Sequence, residues 1–147
     1  MKTVLTLILV ASMQLVGNPN QIQKEKIQEN GNLTINLKNV NVKNGGTIYL
    51  VMYDKQENFM TPNKYKSAMV NVADEKFEIL FEDIPFGTYA VSSYHDINDN
   101  QRMDFSENGM PKEDYAMSGE MNPMGPPSWN DVKFQFEKDR QEVDLNF

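Results

Sequence analysis

The sequence predicts an all-β protein, folded as a single antiparallel β-sandwich of about seven strands with one long irregular loop. Three observations predict this class. Short segments alternate apolar and polar residues with a period of two, Gly-, Pro- and Asn-containing turns separate them, and no stretch has the periodicity of a long helix. The chain has 147 residues and no cysteine, so one domain must hold together by packing, without disulfides.

The N-terminus resembles a secretory signal peptide. Lys2 precedes a short apolar run at 4–11, which is too short to span a bilayer. We therefore predict a signal peptide at 1–17 and a periplasmic or secreted protein without a transmembrane segment; the alternative is a buried N-terminal strand. Residues 18–30 are rich in Gln, Asn and Lys and predict a flexible segment, so the sandwich domain is expected at 31–147.

The first two strands are predicted from alternating apolar residues at 33–37 and 48–52. An Asn44-Gly45-Gly46 turn lies between them, and such turns commonly join hairpin strands. The two strands are therefore expected to form a hairpin.

The other strands follow from the same alternation. Asp83 to Gly87 contains Pro and Gly and predicts a turn before a central strand. The further strand candidates lie at 68–72, 77–81, 88–94, 132–136 and 143–147.

The segment 95–131 lacks apolar periodicity, and long insertions of this kind are commonly functional or disordered. It opens with an Asp/Asn-rich loop, 96–107, in which oxygen ligands recur with the spacing of a calcium-binding loop. The predicted ligands, at loop positions 1, 3, 5, 7, 9 and 12, are Asp96, Asn98, Asn100, Arg102 through its backbone carbonyl, Asp104 and Glu107. The predicted ligand set would bring three negative charges to one divalent cation.

Gln101 occupies the loop position where calcium loops of this spacing have glycine. Either Gln101 adopts a left-handed conformation, at a cost of roughly 1 kcal/mol, or the loop departs from that geometry. The alternative to a calcium site is a run of Asx turns in a solvated connection.

Four motifs resemble, in order, those of the DUF2141 family of exported bacterial proteins. They lie at 81–91, 94–100, 111–118 and 125–129. The resemblance implies a sandwich of the immunoglobulin or transthyretin-like kind and no catalytic residue, and the family has no known function. It also implies that glycine is usual at the position of Gln101 and frequent at that of Asp99.

Other residues suggest other chemistry. His95 is the only histidine, and we expect it to pack or hydrogen-bond at the mouth of the loop because no nucleophile motif accompanies it. Trp129 is expected to pin the end of the segment to the core, with Ser128 capping a single helical turn before Val132; the alternative is an aromatic shelf, approached by Pro126 and Pro127, for a glycan or peptide. Five methionines in the segment could hold Cu(I) or could fill gaps in packing; they are Met103, Met110, Met117, Met121 and Met124.

The net charge of −7 argues against nucleic acid as a partner, because phosphate backbones recruit Lys and Arg. The sequence therefore predicts a non-enzymatic, calcium-stabilised module that binds an unidentified protein or glycan through the face built by the long loop. The alternatives are a hydrolase using carboxylates such as Glu113 and Asp114, and a periplasmic copper-handling protein using the methionines.

Overall fold

The structure is a computed structural model that describes residues 29–120 and 125–147. The predicted signal peptide, 1–17, and most of the predicted flexible segment, 18–30, lie outside the described residues. Asn30, the last residue of that segment, already belongs to the first strand.

The described part of the chain is all-β, with eight strands and one short α-helix. The strands are β1 (Asn30–Lys38), β2 (Thr47–Tyr53), β3 (Lys66–Asn71), β4 (Glu78–Pro85), β5 (Gly87–Asp96), β6 (Tyr115–Met117), β7 (Phe134–Phe136) and β8 (Arg140–Asn146), and helix α1 spans Trp129–Val132. Within these described residues, no helix combines the length and apolar character needed to cross a membrane.

The strands form two sheets. One has the order β4-β1-β8. The other has the order β3-β2-β5-β6, and β7 pairs with the first three residues of β5. The prediction of a purely antiparallel arrangement is wrong at one place, because β8 runs parallel to β1 from the Asn32–Arg140 pair to the Lys38–Asn146 pair. The chain enters β8 from β7, which pairs with the other sheet, so no hairpin turn constrains β8 to run antiparallel.

The predicted hairpin between the first two strands is also wrong. β1 pairs with β4 and β8, whereas β2 pairs with β3 and β5. The connection is a 3₁₀ turn at Val42–Asn44 followed by Gly45 and Gly46, both with positive φ. This connection is longer than a two-residue hairpin turn and carries the chain from one sheet to the other.

Both sheets contribute side chains to one buried cluster. The alternation predicted for β1 and β2 is confirmed, because every second residue of each strand is buried. The buried members of the cluster are Leu33, Ile35, Leu37, Ile48, Leu50, Met52, Val72, Phe81, Ile84, Tyr89, Val91, Ala116, Phe136 and Leu145.

The structure has eight strands instead of about seven, and one of them lies in the segment that was predicted to be an irregular loop. The segment 95–131 contains β6, which pairs with β5 through Ala116 and its neighbours, so it is not irregular throughout. Its three residues are too few to show an alternation in the sequence. Val132, predicted to begin a strand, ends α1 instead.

Trp129 and Ser128 behave as predicted. The Ser128 hydroxyl and backbone N–H both donate to the Asp131 carboxylate, at 2.6 and 3.3 Å, which fixes the first turn of α1. The Trp129 ring is buried and meets Phe59 edge to face, with ring centroids 6.0 Å apart. The segment is therefore anchored where it returns to the sheet.

Candidate functional site

The long segment between β5 and β7 contacts the outer face of the larger sheet. In β5, Tyr89 and Val91 belong to the large buried cluster that both sheets share, while Ala90 packs with Trp129 in a second, smaller cluster. Because side chains alternate along a strand, Ser92 and Tyr94 face the same way as Ala90, away from the large cluster. The outer face is therefore partly covered by the segment rather than by solvent.

The loop begins at Asp96, which is fully buried although it is an acid. Its Oδ1 accepts a hydrogen bond from the Asn100 N–H at 3.1 Å, and its Oδ2 accepts one from the Gln101 N–H at 2.6 Å. Hydrogen bonds to a charged acceptor are stronger than neutral ones, and they satisfy a carboxylate that has left water. Asp96 thus fixes the first turn of the loop.

Two residues of this turn have left-handed backbones. Asp99 has φ 56° and Gln101 has φ 65°. Of the two alternatives for Gln101, the structure therefore adopts the left-handed one, in which its N–H points at Asp96. The glycines implied by the family resemblance fall at these same two positions, where glycine would relieve the strain.

Three predicted ligands converge at the next turn. The side-chain amides of Asn98 and Asn100 donate to Oδ2 of Asp104, at 2.8 and 3.0 Å. These two hydrogen bonds hold the pKa of the Asp104 carboxyl below its usual range, with a smaller contribution from the Arg102 guanidinium 3.7 Å away. The Oδ1 atoms of Asn98 and Asn100 accept the backbone N–H groups two residues on, at 3.2 and 3.0 Å, as in Asx turns.

Glu113, which is not one of the predicted ligands, also holds the loop in place. It is buried, its Oε1 accepts the Ile97 N–H and its Oε2 accepts the Asp104 N–H, both at 3.1 Å. It therefore closes the loop across 16 residues. Its burial could not be read from its sequence neighbours, Lys112 and Asp114, which are both charged.

Glu107, the predicted ligand at position 12, lies apart from this network. It is exposed, and among the residues that the structure describes no side-chain hydrogen bond joins it to the other five. Among residues 29–120 and 125–147, no group of three or more His, Cys, Asp or Glu side chains is placed to hold a metal ion. Asn98 and Asn100 meet Asp104 through their NH₂ groups, and their Oδ1 atoms accept backbone N–H groups, so calcium binding would require these oxygens to turn toward Asp104.

His95 is buried and its Nε2 lies 2.6 Å from the carbonyl oxygen of Gly45. A carbonyl only accepts, so Nε2 carries the proton in this bond. His95 thus ties the end of β5 to the turn before β2 at the mouth of the loop, as the sequence predicts.

A groove of about 640 Å³ lies beside the loop, between the outer face of the larger sheet and the long segment. Its aromatic floor includes Tyr49 and Tyr94, whose rings stack with centroids 5.3 Å apart. The full lining is Tyr49, Val51, Tyr53, Met60, Ser92, Ser93, Tyr94, Met103, Phe105, Gly109, Met110, Pro111, Tyr115, Met117, Gly125, Pro126 and Pro127. None of these described residues is acidic, basic or an amide.

One protein family matches a region of the chain that includes both the loop and the residues lining the groove. The profile of DUF2141, described as an uncharacterized protein conserved in bacteria, matches residues 35–144. The chain belongs to the DUF2141 family. No curated protein and no solved structure matches this DUF2141 chain.

The methionines of this DUF2141 protein gather at the groove. Met103, Met110 and Met117 all line it, together with Met60, which sequence analysis did not single out. Met121 and Met124 lie outside the described residues. Met60 lies in the connection between β2 and β3 and is 57% exposed.

The Tyr94 hydroxyl on the groove floor is held in its neutral form. Burial of the Tyr94 ring, together with the nearby charges of Asp96 and Glu113, raises the pKa of its hydroxyl to about 12. Tyr94 therefore stays neutral and keeps its proton as a hydrogen-bond donor at physiological pH.

Proposed function

We propose that this DUF2141 protein is an exported, non-enzymatic binding module whose ligand, a protein or a glycan, occupies the groove on the outer face of the larger sheet. The observation that carries the proposal is the open apolar lining. Phe105 and Met110 on one wall are 57% and 62% exposed, and contiguous exposed apolar surface with a polar rim marks interaction sites. The groove volume falls within the range of about 300–1,000 Å³ found for ligand sites.

The proposal is tested by filling the groove. Ser92 lies on its floor, so Ser92→Phe is expected to abolish retention on peptide or glycan arrays of every probe that the wild type retains. Phe105→Ser with Met110→Ser removes exposed apolar contacts and should weaken retention without affecting folding, because both side chains are more than half exposed. Ala73→Phe is the control, since Ala73 is exposed in the 3₁₀ turn after β3 and does not line the groove.

Retention of no probe by the wild type, or unchanged retention by both groove variants, would overturn the binding proposal. Melting curves of all variants distinguish a blocked groove from a loss of fold.

The hydrogen bonds of Glu113 and His95 support a non-enzymatic protein. Both oxygens of Glu113 already accept backbone N–H groups, which leaves them poorly available as a general base. His95 donates to a backbone carbonyl instead of facing a hydroxyl. A catalytic base needs a nucleophile or a substrate proton within hydrogen-bond reach.

Export rests on Lys2 and the apolar run at 4–11. Protein recovered from the periplasm or medium should have an intact mass that lacks the N-terminal leader. A full-length product found only in the cytoplasm would contradict this prediction.

The calcium proposal is a second one, and it is supported by the proximity of the Asn98 and Asn100 side chains to Asp104; their amide oxygens would have to turn toward the ion. We expect weak binding, on the order of 10⁻⁴ to 10⁻³ M as in extracellular calcium modules, because few carboxylates converge. An ion that binds only the folded state at about ten times its Kd stabilises that state by roughly 1.4 kcal/mol. The melting temperature should therefore be a few degrees higher in millimolar calcium than in chelator.

Asp104→Ala should remove this calcium response, whereas Asp99→Ala, which lies off the ligand register, should keep it. Wild-type melting curves that coincide in calcium and chelator would leave the loop as a chain of Asx turns. Copper(I) added in place of calcium tests the copper-handling alternative, which uses the methionines of the groove rather than the loop.

We also propose that the two sheets pack face to face as a sandwich of the immunoglobulin or transthyretin-like kind. The shared buried cluster supports this arrangement. So does the Tyr89 hydroxyl, which donates to the Pro85 carbonyl at 2.8 Å, as tyrosines do at the corners of immunoglobulin-like domains. A crystal structure in which the sheets do not face each other would contradict it.

A further inference from the structure

We infer that the groove binds a short cationic peptide segment that combines apolar or aromatic side chains with Lys or Arg. This inference rests on the proposed function and names the class of ligand. Three independent features of the groove lead to it: the chemistry of the lining, the charge of the surrounding segment and the arrangement of the aromatic rings.

The lining selects a peptide over a glycan. A buried sugar loses water from many hydroxyls and needs polar side chains to replace it, but the described lining offers only Ser and Tyr hydroxyls. One of these, Ser93 Oγ, already donates to the Ala116 carbonyl at 3.1 Å. Apolar side chains need no such partners, and methionine adapts its shape to varied apolar ligands.

The surrounding segment supplies charge complementarity. Between residues 95 and 131 there are eight acidic and two basic residues, a net charge of −6 out of −7 for the whole chain. The two bases are Arg102, which lies 3.7 Å from Asp104, and the exposed Lys112. The wall residue Tyr115 directly follows the exposed Asp114. A cationic ligand in the groove would therefore lie in a favourable field.

The aromatic floor suits the same cation. Tyr49 and Tyr94 are cross-strand neighbours whose planes are 15° apart, and both line the groove. Lys and Arg are attracted to the faces of such rings by about 0.5–1 kcal/mol at exposed sites. The net negative charge of the surrounding segment and the aromatic rings on the floor favour one ligand: apolar anchors with positive charges between them.

The experiment uses three labelled hexapeptides that share three Leu residues and differ in the other three positions, which are Lys, Ser or Glu. Fluorescence anisotropy with the mature protein, in chelator, should give roughly tenfold tighter binding for the Lys peptide than for the Ser peptide, and weaker binding still for the Glu peptide. Molar salt should remove the difference between the Lys and Ser peptides, because it shortens the Debye length to about 3 Å.

Two variants locate the effect. Asp114→Asn should weaken Lys-peptide binding about two- to threefold, whereas Glu82→Gln, which removes one exposed charge from β4 in the other sheet, should leave it unchanged. Ser92→Phe should abolish it.

Equal binding of the Lys and Ser peptides would overturn the charge inference while leaving the groove proposal intact. Lys-peptide binding that survives Ser92→Phe, or that falls equally in Glu82→Gln, would show non-specific surface attraction and overturn the inference. Failure of all three peptides also overturns it; the arrays then decide separately whether the groove binds any other ligand.

Discussion

Gly46→Ala is expected to destabilise the protein by about 3 kcal/mol or more, which is among the larger effects of a single substitution. Gly46 has φ 79°, and a Cβ added there would lie 2.3 Å from the Asp96 carbonyl oxygen. The new methyl group must therefore push the start of β2 away from the end of β5, where the loop begins. Equilibrium unfolding in urea measures the loss directly.

Gly45→Ala is the matched control. Gly45 also has positive φ, at 61°, but nothing lies within 4 Å of a Cβ at that position. It should cost only the conformational penalty, about 1–2 kcal/mol. If the two variants are equally destabilised, the contact between Gly46 and Asp96 does not determine the cost.

The strands could be predicted from sequence because each alternates apolar and polar residues. Leu33 and Ile48 are buried as their alternation requires. Strand pairing could not be predicted in the same way, because β1 and β2 have the same period and the turn between them contains the residues of a hairpin. Their separation into two sheets depends on long-range partners such as β4 and β8, which no local pattern encodes.

Only the local part of the loop could be predicted from sequence. The spacing of Asn98, Asn100 and Asp104 is local, and these side chains meet. Glu113 contacts the loop across 16 positions, so the spacing rule favoured Glu107, at the twelfth position, over the acid that the fold brings in. The lining residues of the groove were not predicted, because they come from β2, β5, β6 and three connections that only the sheet order places side by side.

Asp96→Ala is expected to cost about 2–4 kcal/mol of unfolding free energy. The fully buried carboxylate accepts two backbone N–H groups, and a hydrogen bond to a charged group contributes about 1.5–3 kcal/mol. The alanine variant leaves the Asn100 and Gln101 N–H groups without their acceptor and leaves the left-handed turn unsupported. Asp96→Asn should recover only part of the loss, because one oxygen is replaced by an NH₂ group that cannot accept.

Asp99→Ala is the control, because Asp99 is exposed and makes one side-chain hydrogen bond, with the Thr47 hydroxyl at 3.1 Å. It should cost less than about 1 kcal/mol. Urea unfolding of both variants in chelator separates the two roles that Asp96 could have. A loss of the same size with and without calcium means that Asp96 acts on the backbone of the loop. A loss that disappears in chelator would instead make Asp96 a calcium ligand, and the hydrogen bonds to Asn100 and Gln101 would not account for its burial.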